Sequence, residues 1–180
     1  MRPMKKTTLL LACLSFVLLA STALAQGDKA SRPSPPATAK GKIGKANVTI
    51  SYSSPSVKGR KIWGTDLVPY GKVWRAGANE ATIFETDAEL TMGGKKLPAG
   101  KYSLFAIAGE NEWTFIFNSE TGQWGIKRSG EANLDRAKDV LTVTAKPKKS
   151  ASFNEKMVFE VTNSGFTLKW ENLEVPVAAK

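Results

Sequence analysis

Residues 102–117 read YSLFAIAGENEWTFIF and carry the strongest indication of the fold class. It contains two runs of mainly apolar residues, 102–108 and 113–117, joined by the short polar connection 109–112. Neither run alternates cleanly between apolar and polar residues, so each predicted strand buries both of its faces. We therefore predict a central hairpin that is covered on both sides by other parts of the chain.

Other strands are predicted on both sides of this hairpin. Val48, Ile50 and Tyr52 alternate with polar residues, which is typical of a half-buried strand. Gly93-Gly94 predicts a tight turn between two short strands. Further strands are predicted near residues 83–84, 141–145, 157–161, 166–170 and 173–177. About eight or nine strands with little helix predict an all-β fold, namely an antiparallel β-sandwich, either jelly-roll-like or an incomplete barrel.

The first 25 residues are predicted to be a signal peptide. Basic residues come first, residues 9–20 are an apolar run, and Ala23-Leu24-Ala25 fits a signal peptidase site. The alternative is an uncleaved anchor, but the run is shorter than the roughly 20 residues that span a bilayer. Cleavage removes the run, so no transmembrane segment is expected in the mature protein. We predict a periplasmic or secreted protein. Its mature form would have no disulfide, because the chain's single cysteine, Cys13, lies before the cleavage site.

The region after the predicted cleavage site is expected to be a linker. Residues 26–40 are polar, include Pro33, Pro35 and Pro36, and contain no large apolar residue. Such a composition favours a disordered segment, because it has no apolar surface to bury. We therefore predict a single β-sandwich domain over residues 41–178.

Composition narrows the classes of function. The chain has no histidine, which excludes Ser-His-Asp triads, Cys-His dyads and histidine metal sites. Its formal net charge of +10 favours anionic partners, here an acidic small molecule or a polysaccharide. A nucleic-acid partner is not expected for an exported protein. Glu85, Asp87 and Glu89 share one face of a predicted strand but lack a calcium-loop pattern, so no metal or cofactor is predicted.

The candidate site is the segment 54–82, SPSVKGRKIWGTDLVPYGKVWRAGANEAT, which we call the crossover segment. It has a loop-like composition but is rich in aromatic and cationic side chains. Arginine forks suit carboxylate, sulfate or phosphate groups, and aromatic faces suit sugar rings. The predicted ligand-binding residues are Arg60, Trp63, Tyr70, Lys72, Trp74, Arg75, Asn79 and Glu80.

Three interpretations of this segment remain open. The first is a noncatalytic binding module of the cell envelope for an anionic or glycan-type ligand, with no catalytic residue. The second is a histidine-free, hydrolase-like enzyme that uses Lys72, Tyr70 or Glu80 as acid or base and an arginine as anion clamp. The third is an architectural or partner contact, in which the tryptophans close one end of the sandwich and Arg75 pairs with Glu80 or Asp66. The oligomeric state is not predicted.

Several runs of the sequence resemble a known family. They are YSSPSVKGRKIWG, LVPYGKVWRAGANEAT, KKLPAGKYSLFAI, EWTFIFN and KDVLTVTAKPKK. These runs are similar to those of the bacterial exported family called domain of unknown function 2911, and the similarity extends over about residues 46–170. The resemblance implies an exported, mainly β protein without an established activity. It implies no catalytic residue.

Overall fold

The structure is a computed structural model that describes residues 28–180. The predicted signal peptide and its cleavage after Ala25 lie outside these residues. The described residues before Pro33 belong to a unit of their own, in which Lys29–Ser31 makes a single 3-10 turn. The second unit is Pro33–Lys180. Within the described range, no helix has the length and apolar character needed to cross a membrane.

Residues 28–180 contain eleven strands, and all paired strands are antiparallel. The strands are β1 (Pro36–Ile43), β2 (Ala46–Ser53), β3 (Val73–Trp74), β4 (Thr82–Thr86), β5 (Leu90–Met92), β6 (Lys95–Leu97), β7 (Gly100–Ile107), β8 (Trp113–Asn118), β9 (Asp139–Ala145), β10 (Lys148–Thr162) and β11 (Gly165–Ala178). A 3-10 turn at Arg136–Lys138 precedes β9. The prediction of an all-β antiparallel fold is confirmed, with more strands than the eight or nine expected.

The main sheet has the strand order β1-β2-β4-β7-β8-β9, and the short β3 pairs with β7 beside β4. The predicted central hairpin is β7 and β8, whose register places Leu104 opposite Phe117 and Phe105 opposite Ile116. Because strand residues alternate between the two faces, Leu104 and Phe117 lie on one face, and Phe105 and Ile116 lie on the other.

The inner face of this sheet is covered by the long β10–β11 hairpin. Phe166 on β11 packs against Phe84, Phe115 and Phe117, with ring centroids 5.6, 5.5 and 6.4 Å apart. All four side chains are almost fully buried. Burying an aromatic side chain of this size stabilises the fold by about 1.5–3 kcal/mol, so this cluster is a major part of the core.

The outer face of the central hairpin is covered by the connection between β8 and β9. Phe105 and Ile116 are fully buried there together with Ala81, and Ala132 and Leu134 of the connection pack against them. The central hairpin is therefore buried on both faces. This arrangement explains why its sequence lacks apolar–polar alternation.

The prediction of a disordered linker up to Lys40 is wrong. Strand β1 begins at Pro36 and pairs with β2 along its whole length, from Pro36 opposite Ser53 to Ile43 opposite Ala46. A large apolar residue is not needed at this position, because β1 lies at the edge of the sheet and buries only part of one face. Ala37 and Ala39 pack against the core, and a proline is tolerated as the first residue of an edge strand.

The start of the crossover segment is joined to the second layer by hydrogen bonds. The N–H of Val57 donates to the carbonyl of Glu155 at 2.8 Å, and the N–H of Met157 donates to the carbonyl of Pro55 at 2.9 Å. The Ser54 hydroxyl donates to the carbonyl of Met157 at 2.6 Å. The start of the segment therefore pairs alongside β10 and is not a free loop.

The short β5–β6 hairpin is linked to the end of β11. Its turn is formed by Gly93 and Gly94 with φ values of +56° and +76°, which confirms the predicted tight turn. Thr91 and Lys180 exchange two backbone hydrogen bonds of 2.8 and 3.1 Å. The β10–β11 hairpin is thus hydrogen-bonded to the crossover segment in the middle of β10 and to the β5–β6 hairpin just after the end of β11.

Candidate functional site

Four of the five tryptophans form one buried cluster at an end of the sandwich. Trp63 packs edge-on against Trp113 and Trp170, with ring centroids 5.3 and 5.6 Å apart. Trp74 stacks on Trp170 at 6.2 Å and meets Trp113 edge-on at 6.3 Å. None of the four side chains is more than 8% exposed. The indole faces therefore contact each other and leave little flat surface for a ligand.

The tryptophan cluster is held together by ring packing rather than by hydrogen bonds. The Nε1 atoms of Trp63, Trp113 and Trp170 are buried and have no hydrogen-bond partner within residues 28–180. Buried indole N–H groups usually find an acceptor, so three unpaired donors in one cluster are unusual. The cluster therefore contains three buried N–H donors that no described residue accepts from.

A cleft of about 900 Å³ lies beside this cluster. One wall comes from residues 55–78 of the crossover segment, and the other comes from residues 126–136 of the β8–β9 connection. Trp170 contributes from β11. Four of the eight predicted ligand-binding residues line it: Arg60, Lys72, Trp74 and Arg75.

Charged residues make the lining of the cleft net positive. The lining includes the four cations Arg60, Lys72, Arg75 and Arg136, and the two acids Asp66 and Glu131. Apolar residues from both walls, including Leu67, Val73, Ile126 and Leu134, lie between them. A concave apolar surface with a few cations is the kind of site that holds an anion attached to an apolar or flat body.

Arg75 directly follows β3, and its position is fixed by close backbone packing. A Cβ at Gly125 would lie 2.8 and 2.9 Å from Cβ and Cδ of Arg75, so the arginine stem runs tightly against this glycine. Gly125 has a φ of +90°, a conformation that favours glycine. The β8–β9 connection therefore fixes the stem of Arg75 by close packing.

The guanidinium of Arg75 is partly buried and incompletely paired. Its NH1 atom is buried and has no hydrogen-bond partner within the described part of the chain. Burial lowers the pKa of Arg75, while the nearby carboxylate of Glu80 acts in the opposite direction and raises it. The guanidinium of an arginine nevertheless remains protonated in proteins at neutral pH. Arg75 thus brings a positive charge with an unused donor to the cleft.

The other cations of the cleft differ from Arg75. Arg60 uses its Nε to donate to the carbonyl of Val57 at 3.0 Å and its NH2 to donate to that of Ser56 at 2.7 Å. Arg136 forms an ion pair with Asp139. These contacts leave each arginine fewer free donors, so Arg75 is the arginine with a buried donor still unpaired.

Four predicted residues do not line the cleft. Trp63 is buried in the tryptophan cluster, and the nearby carboxylate of Glu80 raises the pKa of Arg75. The ring of Tyr70 lies against Gly64. Burial raises the pKa of Tyr70, and the charges of Glu110 and Glu171 raise it further.

Asn79 uses its side chain in a contact within the domain, because its Nδ2 donates to the carbonyl of Ser34 at 2.9 Å. The aromatic floor expected for a sugar ring is reduced to Trp74 and Trp170, which are 7% and 2% exposed.

Sequence reasoning missed the wall formed by residues 126–136 and the contribution of Trp170. These residues are 40 or more positions away from the crossover segment, and a single sequence does not show which distant segments meet. The one available signal was Ile126, an isolated apolar residue in a polar stretch, which lines the cleft.

Unusual backbone conformations are concentrated around the cleft. In the described range, four residues other than glycine have positive φ values, namely Lys58 (50°), Ala76 (50°), Asn79 (57°) and Glu171 (54°). Each lies within two positions of a residue that lines the cleft. Such conformations cost of order 1–3 kcal/mol each and tend to cluster at functional sites. Backbone conformations that most side chains disfavour therefore lie next to residues that line the cleft.

Comparison with known proteins identifies the family. The profile of the family described as protein of unknown function (DUF2911) matches residues 34–179. This match covers most of the chain, so the chain belongs to that family. No curated protein and no solved structure matches it significantly.

Proposed function

We propose that this DUF2911 domain is a noncatalytic binding module of the cell envelope that holds a small anionic ligand in the cleft between residues 55–78 and 126–136. The observation that carries the proposal is the buried, unpaired guanidinium donor of Arg75. Leaving a buried donor unsatisfied costs about 1–3 kcal/mol, and more for a charged group. A ligand carboxylate, sulfate or phosphate would supply the missing acceptor.

The surroundings of Arg75 support an anion over a neutral sugar. Trp74 and Trp170 use their faces to stack on each other, at an interplanar angle of 13°, and both are largely buried. A sugar ring would need an open aromatic face, and the cleft does not offer one. The apolar side chains Leu67, Val73 and Ile126 instead suit an anion that carries an apolar or flat body.

The binding interpretation is also favoured over the enzymatic one. An acid–base mechanism without histidine would use Lys72, Tyr70 or Glu80 as acid or base beside an arginine that clamps the anion. Only Lys72 of these three lines the cleft. The raised pKa of Tyr70 further disfavours its phenolate form, which a general base would need. The cell-envelope assignment is supported by the signal-like pattern of residues 1–25.

Thermal unfolding in the presence of anionic probes tests the proposal. The probes are inorganic phosphate, inorganic sulfate and the medium-chain carboxylate decanoate, each titrated to saturation. A probe at 100 times its Kd is expected to stabilise the protein by about 2.7 kcal/mol. The measured quantity is the probe-dependent shift of the unfolding temperature. Arg75→Met, which keeps the length of the side-chain stem, should abolish this shift.

Arg128→Met is the matched control, because Arg128 is exposed and does not line the cleft. It should leave the probe-dependent shift unchanged. Equal loss of the shift in both variants would show that the probes respond to net charge alone. No shift with any of the three anions would contradict the proposal.

A further inference from the structure

We infer that residues 146–156, KPKKSASFNEK, dock on the surface of an anionic lipid bilayer. We call these residues the basic bulge. The inference does not rest on the proposed cleft ligand, because it concerns another surface. Its basis is an exposed aromatic side chain that is held outside the sheet among four lysines, three of which have no acidic partner among residues 28–180.

The bulge arises from a register shift between β10 and β11. Lys149 is opposite Leu173, but the next paired residue of β10 is Asn154, which is opposite Glu171. Five steps along β10 thus correspond to two along β11, and the intervening residues leave the ladder. Phe153 lies at the end of this excursion and is 55% exposed.

Hydrogen bonds hold the bulge in a defined shape. Asn154 donates from Nδ2 to the hydroxyl of Ser150 and to the carbonyl of Ser152, both at 2.9 Å. The same nitrogen is 3.3 Å from the carbonyl of Glu171 on β11. Phe153 is therefore presented by a structured excursion. An aromatic side chain displayed in this way can enter the lipid interface without folding of the segment.

The charges around Phe153 suit an anionic surface. The basic bulge contains four lysines and one acid, Glu155, whose carboxylate accepts a hydrogen bond from the backbone of Lys58. Lys148 pairs with Glu174 across the ladder at 3.0 Å. The remaining lysines are exposed and form no ion pair with other described residues: Lys146, Lys149 and Lys156.

An exposed aromatic group flanked by unpaired lysines fits a bilayer better than it fits water. The ring enters the apolar boundary, while the ammonium groups remain at the level of anionic headgroups. Each lysine close to such a surface contributes about five-fold to the partition coefficient. A simple polyanion would use the lysines alone and would leave Phe153 without a role.

Vesicle co-sedimentation tests the inference with the protein as recovered from the cells that produce it, its N-terminus defined by mass spectrometry. The probes are phosphatidylcholine vesicles with and without phosphatidylglycerol. Binding is expected only to the vesicles that contain phosphatidylglycerol. Phe153→Ser should lower the partition coefficient roughly ten-fold, and Lys149→Gln about five-fold.

Lys45→Gln is the matched control. Lys45 is exposed in the β1–β2 turn, next to Gly44, whose N–H donates to the carbonyl of Asn163. It therefore lies by the β10–β11 turn, at the other end of the hairpin from the basic bulge. Its replacement should leave partitioning unchanged. Three results would each overturn the inference: equal losses for Lys45→Gln and Lys149→Gln, no effect of Phe153→Ser, or no binding to the phosphatidylglycerol vesicles.

Circular dichroism distinguishes lost docking from lost folding. Because Phe153 is more than half exposed, Phe153→Ser should retain the cooperative unfolding of the wild type. If that variant is unfolded, the double variant Lys146→Gln/Lys149→Gln replaces it. This double variant should lower partitioning about 25-fold if the two effects add, and an unchanged value would contradict the inference.

Discussion

The indole ring of Trp74 lies nearly parallel to that of Trp170, at a centroid distance of 6.2 Å and an interplanar angle of 13°. Trp74 belongs to β3 in the crossover segment, whereas Trp170 belongs to β11 in the second layer. This contact therefore helps to fix the crossover segment against the hairpin that covers the core. It also forms the inner boundary of the proposed binding cleft.

Replacement of Trp74 should destabilise the domain strongly. Trp74→Ala removes a 7% exposed ring that contacts Trp113 and Trp170, so we expect a loss of about 3–5 kcal/mol in the free energy of unfolding. Urea denaturation measures this loss. Trp124→Ala is the matched control, since Trp124 is 47% exposed. A similar loss in both variants would show that the buried cluster is not a special source of stability.

Tyr52 links the two layers through its hydroxyl group. The buried N–H of Phe159 donates to the Tyr52 oxygen at 3.2 Å, and the two rings meet edge-on at 5.0 Å. Tyr52→Phe keeps the ring contact but leaves this N–H without its acceptor. We expect a loss of about 1–3 kcal/mol, measured by urea denaturation. An unchanged free energy of unfolding would mean that the N–H is satisfied in another way.

The same tyrosine should make the stability of the fold depend on pH in the alkaline range. Burial raises the pKa of Tyr52 in the folded protein, although the hydrogen bond from Phe159 acts in the opposite direction. Its contribution to stability is therefore complete below the unfolded pKa of about 10 and is lost as the pH rises through the folded pKa. Stability measured from pH 8 to 11 should fall more in the wild type than in Tyr52→Phe. Parallel curves would contradict this assignment.

Asp87 should make the stability of the fold depend on pH in the acidic range. Hydrogen bonds from the side chain of Asn47 and from its backbone N–H, the latter at 2.7 Å, lower the pKa of Asp87. Its stabilising contribution is present above the unfolded pKa of about 3.9 and is lost as the pH falls through the folded pKa. Asp87→Asn should therefore lose less stability than the wild type between pH 5 and pH 2. Identical acid unfolding of the two proteins would show that this pair does not contribute.

The central hairpin was predictable because its signal is local. Residues 102–117 lack apolar–polar alternation, and the structure buries both faces of β7 and β8. The first half of strand β1, residues 36–40, was missed for the opposite reason, because its inward residues are the small Ala37 and Ala39. Both alanines are only partly buried, and this half of the strand pairs with β2 through its backbone, for which a single sequence gives no signal.

The candidate site was predictable only in part. The concentration of aromatic and cationic residues in the crossover segment identified Arg60, Lys72, Trp74 and Arg75, which line the cleft. The same composition also pointed to Trp63, which is instead buried behind the cleft wall. Sequence composition shows that such residues are close along the chain. It does not show which of them face inward, because that depends on the distant strands β8 and β11.

The role of Arg75 decides between a binding site and an architectural contact. If Arg75 is held for a ligand, its unpaired buried donor weakens the ligand-free domain, because a buried polar group without a partner is unfavourable. If Arg75 instead fixes the loops through an ion pair with Glu80, removing it leaves a charge without its partner. The two accounts therefore predict opposite changes in the stability of the ligand-free protein.

The most direct test is the free energy of unfolding of Arg75→Met without added ligand, measured by urea denaturation beside the wild type and Arg128→Met. Methionine keeps the stem that packs against Gly125 and removes the charged end. We predict that this free energy is unchanged or rises by about 1 kcal/mol, and that the response to anionic probes is lost. A fall of about 3–5 kcal/mol would contradict the account and identify Arg75 as an architectural ion-pair residue.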